Sequence, residues 1–144
     1  MVAMKQFSLI LFLLLPIVLL QGQQDSSRMQ WTVFYHENGQ VSSEGMMQDG
    51  RPDGYWKTYN EEGTLISEGN RKDFLLDSLW TFYSDSGQVV MTITYEKGVK
   101  NGPRVIYRKN EKVVEPFVQD VKEGLAYHFE GDRLVMTVPF RDEL

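Results

Sequence analysis

The chain has 144 residues, a formal net charge of −5 and no cysteine. That length makes one domain with a small core. The negative balance argues against a nucleic-acid partner, because neutralising phosphate needs a basic face. The missing cysteine removes disulfides, thiolate metal sites, a thiol nucleophile and a lipid-anchor cysteine.

The N-terminus reads as an address. Lys5 supplies a positive start, Phe7 to Leu20 is almost wholly apolar, and Gly22 is a small residue at a plausible cleavage point before a polar "QQDSS". This layout predicts a secretory signal peptide over 1–22 and a polar lead-in over 23–30. Pro16 interrupts the apolar run, and the run falls short of the ~20 residues that span a bilayer. No stable membrane span is therefore expected after cleavage, and the expected location is secreted or periplasmic. The chain ends in "RDEL", a near match to K/H-D-E-L retention signals. It leaves the lumen of the endoplasmic reticulum as the alternative location; the plain reading is the charged end of a last strand.

From 31 to 144 the chain repeats itself. Tyr35, Tyr59, Tyr83 and Tyr107 are spaced by 24 residues, as are Gly39, Gly63 and Gly87, and Trp56 and Trp80. Glu44-Gly45 returns as Glu68-Gly69, and Gly54, Ser78 and Gly102 open successive units. A fixed period in this range marks a repeat architecture. Each unit reads as a β-hairpin. "YWKTY" and "LWTFY" alternate like pleated strands. The polar turns "HENG", "NEEG" and "SDSG" end in a glycine free to take positive φ. A second strand and a second turn follow, "QDGRPDG" and later "EKGVKNGP".

The fourth and fifth units are degenerate. Gly102 to Gly124 is only 22 residues, Glu111 stands in the turn-glycine register, and Asn110 is expected to take the left-handed role. Pro116 is expected to demote its strand to an edge or a bulge. The fifth unit opens at Gly124. Since a lone hairpin is marginal in water, stacked hairpins must share a buried face. The expected fold is all-β, an elongated antiparallel sheet of stacked hairpins with almost no helix. Alternation along each strand puts the Tyr and Trp columns on opposite faces.

Tyr35, Gly39, Val41, Gly45, Gly50, Gly54, Trp56 and Tyr59, recurring as Tyr59, Gly63, Leu65, Gly69, Trp80 and Tyr83, resemble the MORN-variant repeat. Bacterial chains of this kind are often described as antitoxin-component-like, which implies binding to and neutralising a toxin. Other MORN proteins imply membrane, phospholipid or scaffolding partners.

No residues suggest catalysis. His36 and His128 stand at opposite ends of the stack, too far apart to share a metal. Glu61-Glu62, Asp77 with Asp85, and Asp142-Glu143 are the carboxylate pairs that a small hydrolase would need, and they fall on solvated turns. "DGRPDG" lacks the spacing of a calcium loop. No cofactor, metal or catalytic residue is assigned. What remains is the aromatic set Trp31, Tyr55, Trp56 and Trp80, as core or as a binding stripe. The function expected is a non-catalytic binding or scaffold module for a protein or an envelope polymer. The alternatives are an antitoxin-like or immunity protein and, less favoured, a carboxylate hydrolase.

Overall fold

The computed structural model describes residues 29–140, so the expected signal peptide and the "RDEL" terminus lie outside the described residues. The described chain is one open antiparallel sheet of eleven strands: β1 (Gln30–Tyr35), β2 (Val41–Gln48), β3 (Arg51–Tyr59), β4 (Leu65–Lys72), β5 (Leu75–Tyr83), β6 (Val89–Glu96), β7 (Val99–Arg108), β8 (Glu111–Val118), β9 (Val121–Lys122), β10 (Gly124–Glu130) and β11 (Arg133–Phe140). Strands pair in chain order, except that β8 pairs with both β9 and β10.

Two kinds of turn build the repeat. Within the first three units, the glycine that ends the turn is left-handed, with φ of 86° at Gly39, 81° at Gly63 and 77° at Gly87. Its N–H donates to the carbonyl three residues back, as from Gly63 to Asn60 at 3.0 Å. A one-residue register shift follows at Tyr35, Tyr59 and Tyr83. This is the type I turn with a glycine bulge. Between units the turns have two residues, both at positive φ: Asp49–Gly50, Asp73–Phe74, Lys97–Gly98 and Gln119–Asp120. That is the type I′ geometry that matches strand twist. The second residue of three of these turns donates its N–H to the preceding unit: Phe74 to Pro52 at 3.1 Å, Gly98 to Leu76 at 2.8 Å and Asp120 to Lys100 at 2.9 Å.

Three details differ from the sequence expectation. "QDGRPDG" is not one turn: the turn is Asp49–Gly50, β3 starts at Arg51, and Gly54 sits in a second bulge inside the strand. The fourth turn is the two-residue Lys109–Asn110, closed by the pair Arg108 and Glu111, and positive φ falls on Lys109 rather than Asn110. The shortened unit has no room for the glycine bulge, and β7–β8 runs without a register shift. Strand β8, carrying Pro116, is interior and not an edge. The missing N–H is tolerated because Pro116 faces Pro103 on one side and lies, on the other, where β9 gives way to β10.

All eight buried residues among those described lie on one face: Gly45, Trp56, Gly69, Trp80, Ile93, Glu115, Phe117 and Ala126. Pairing explains the first four. Gly45 is directly opposite Trp56, and Gly69 opposite Trp80. Each indole lies over its glycine so closely that a β-carbon there would come within 2.2 Å of Trp56 and 2.4 Å of Trp80. Phe34 packs on Trp56 with ring centroids 6.1 Å apart, and Phe82 on Trp80 at 6.5 Å. The Trp80 indole N–H donates to the Asn70 carbonyl at 2.8 Å, so burial leaves no orphan donor there. In the next two units the same registers hold Ile93 with Arg104, then Glu115 with Ala126. Arg104 and Lys122 both reach the buried Glu115, Lys122 at 2.7 Å, and Arg104 also lies 5.0 Å over the Phe117 ring.

Three substitutions separate these roles. We expect Gly69→Ala to cost about 3 kcal/mol, because the indole must move. Gly63→Val should cost about 1–3 kcal/mol from strain at positive φ alone. Glu61→Ala, on an exposed turn, should stay within about 0.5 kcal/mol. Denaturant unfolding of the three variants measures the ranking, and equal midpoints for Gly69→Ala and wild type would contradict the indole-on-glycine packing.

The ion cluster predicts a pH dependence. Burial pushes the Glu115 carboxyl up, but hydrogen bonds and charge from Lys122 and Arg104 outweigh this and hold it below its ordinary value of 4.5. A group depressed in the folded state contributes stability above its unfolded pKa and loses it as pH falls through the folded one. Glu115→Gln should therefore cost about 2 kcal/mol at neutral pH, and its melting temperature should fall less than that of wild type as pH drops below 4.5.

Candidate functional site

The four candidate aromatics do not form one stripe. Trp56 and Trp80 are 6% and 3% exposed and belong to the packed face. Trp31 and Tyr55 lie on the opposite face, 47% and 46% exposed. Strand alternation and the pairing of Trp31 with Met46 fix this assignment. The opposite face holds none of the buried residues.

Trp31 and Tyr55 open a longer column. One repeat further on at each step stand Leu79, Pro103 and Leu125, all exposed, one per unit at one register of the first strand. Leu79 is 55% and Leu125 47% exposed. Successive first strands are two strand spacings apart, about 10 Å, so the column is a ruled line of apolar side chains. The period that reveals this column is legible in the sequence, where only its aromatic members Trp31 and Tyr55 stood as binding candidates. Near Leu79 the turn presents Phe74, an exposed aromatic at φ 76°, where the turns before and after have Gly50 and Gly98. A bulky residue at positive φ stores strain, a trait that concentrates at functional positions.

Beside this column the Tyr column is tied to carboxylates. The Tyr59 hydroxyl donates to Glu44 at 2.7 Å, and Tyr83 donates to Glu68. Lys57 pairs across strands with both Glu44 and Glu68 on the same face. Burial of the phenol and then Glu44 push Tyr59 up to about 12. For Tyr83 the Glu68 bond comes first, then burial, again to about 12. Burial of its hydroxyl end and then the nearby Glu68 carboxylate do the same for Tyr55.

On the packed face, at the edge formed by the first glycine turns, is an open cavity of about 570 Å³. Trp56 and Ile66 give it an apolar floor; Ser42, Ser43, Thr58, His36 and Asn60 line it, with Glu61 and Glu62 at the rim. Ser43 and Thr58 are cross-strand partners. His36 Nε2 lies 3.0 Å from the Tyr59 carbonyl. Since a carbonyl only accepts, Nε2 is the donor of this bond.

Of the carboxylate pairs considered for hydrolysis, Asp77 lies near the start of β5 and Asp85 in the turn after it, Glu61 and Glu62 are exposed on a turn, and Asp142 and Glu143 lie outside the described residues. His36 follows β1 and His128 lies in β10, at opposite ends of the sheet. Among the described residues no group of three His, Cys, Asp or Glu side chains is placed to hold a metal. Among them, too, no helix is long and apolar enough to cross a membrane.

Hairpin units laid edge to edge, each leaning only on its neighbours, define an open β-repeat protein. Residues 32–49, 52–73 and 76–97 match the MORN repeat variant, so the chain carries three consecutive repeats of that family. MORN repeats are generally non-enzymatic and point to a repeat or binding module. No curated protein matches the chain.

The Tyr–Glu ladder is testable by ultraviolet titration. Tyr55, Tyr59 and Tyr83 should remain protonated until pH nears 12. Glu68→Gln removes the acceptor and negative charge that Tyr83 and Tyr55 share, and should move part of the phenolate absorbance to lower pH. An unchanged titration curve would argue against the ladder.

Proposed function

We propose that this protein is a secreted or periplasmic, non-catalytic binding module that offers its open sheet face to a protein or cell-envelope partner. One observation carries the reading: the register column Trp31, Tyr55, Leu79, Pro103 and Leu125, exposed along a face that holds none of the buried residues. Exposed apolar side chains gathered on one face mark interaction sites, and aromatic anchors dominate binding energy when a partner covers them. The N-terminal positive, apolar and small-residue pattern supports export. The MORN-variant repeats support binding rather than chemistry.

Two measurements test this. N-terminal sequencing of the exported chain should find a mature start near Gln23; an intact Met1 or Met4 on exported material would remove the signal-peptide reading. Affinity capture with the tagged protein should recover a partner that the double variant Tyr55→Asp, Leu79→Asp recovers at least tenfold less, with little change in melting temperature. Equal recovery would mean that this face is not the binding surface. Capture of a toxin encoded beside this chain would favour the antitoxin-like alternative.

A further inference from the structure

We propose that the cavity on the packed face, between the first two glycine turns, binds a segment of a neutral polysaccharide. The proposal goes beyond the partner surface above, because it concerns the other face of the sheet and a different set of residues.

The chemistry of the lining selects the ligand. At about 570 Å³ the cavity is of ligand size. Its ten lining residues include no Lys or Arg, and two are the rim carboxylates Glu61 and Glu62, so an anionic ligand has no counter-charge there. The polar groups are rich in acceptors: the two carboxylates and the hydroxyls of Ser42, Ser43 and Thr58, which can also donate. The matching ligand carries many hydroxyl donors and no charge. Trp56, only 6% exposed, and the half-buried Ile66 add a small apolar contact for the C–H edge of a sugar.

The site is also held in place before any ligand arrives. His36 is fixed by the Tyr59 carbonyl at 3.0 Å, and Asn60 by accepting the Thr64 N–H at 2.7 Å. Asn38 donates to the Glu61 carbonyl at 2.9 Å and ties the first turn to the second, which carries the rim. Trp56 is pinned between Gly45 and Phe34. A preorganised site spends less of its binding energy on ordering side chains. The cavity is open along the sheet edge, so it suits an internal stretch of a chain better than an enclosed small molecule.

The test is an amide NMR titration of the full exported chain with three probes: cellohexaose, the hexamer of β-1,4-linked N-acetylglucosamine, and a heptalysine peptide. One or both saccharides should shift the amides of His36, Ser43, Thr58 and Glu62. The Ser43→Ala, Thr58→Val double variant should weaken that binding at least tenfold. His36→Ala, which leaves the strands untouched, should weaken it as well and guards against misfolding of the double variant. The Tyr55→Asp, Leu79→Asp protein should bind saccharide normally, which separates this site from the proposed partner face. The proposal is overturned if neither saccharide shifts these amides at millimolar concentration, if the shifts map to Trp31 and Tyr55 instead, or if heptalysine alone binds through Glu61 and Glu62.

Discussion

A tryptophan laid flat on a glycine across two strands is the contact on which this fold depends. A single-layer sheet has no second layer to pack against, so it must find its buried area within itself. Gly45 and Gly69 supply a gap in the side-chain carpet, and Trp56 and Trp80 fill it. Burying an indole removes some 150–250 Å² from water, worth about 5 kcal/mol per residue at 25 cal/mol/Å² as an upper figure. Two such contacts are comparable with the whole net stability of a small domain. They also give the sheet its two characters. One face is spent on packing, and the other is left to solvent with its apolar column and its Tyr–Glu pairs.

The same two registers explain why the repeat fades. Where the first two units have Gly with Trp, the third has Ile93 with Arg104 and the fourth Glu115 with Ala126. The aromatic contact is replaced by a buried carboxylate held by Arg104 and Lys122, with Arg104 and Lys100 both over Phe117. The matches to the MORN repeat variant end at residue 97, where this second solution begins. A buried ion cluster demands exact partners, so the C-terminal units preserve the geometry of the hairpin without its sequence signature.

Much of the fold was legible because period and turn chemistry are local. Tyr35, Tyr59, Tyr83 and Tyr107 announced the hairpin repeat, and Gly39, Gly63 and Gly87 announced left-handed turn ends that the structure has. Less was legible where the answer lies in pairing. Arg104 and Glu115 are unremarkable charges until the strands bring them together. Ser78 takes φ 60° at a register where Gly54 and Gly102 stand, and nothing in its type demands it. The candidate surfaces split the same way. Trp31 and Tyr55 could be named from composition, but Leu79, Pro103 and Leu125 join them only through register, and the cavity beside Trp56 depends on residues from both turns at one edge.

The hydrogen bonds from each two-residue turn back to the preceding unit have a consequence for how the chain assembles. Phe74 to Pro52, Gly98 to Leu76 and Asp120 to Lys100 join residues only 22, 22 and 20 positions apart. Strand pairing likewise reaches no further than the next strand, apart from the short step over β9. Sheets usually fold slowly because distant segments must meet before any contact rewards them. Here no distant segments need to meet. Ordering can begin wherever a Trp finds its Gly and spread outward one hairpin at a time, as in other one-dimensional repeats. The chain is thus a β protein with the search problem of a helical one, and β1 and β11, each with one neighbour among the described strands, are the natural points at which that sheet frays.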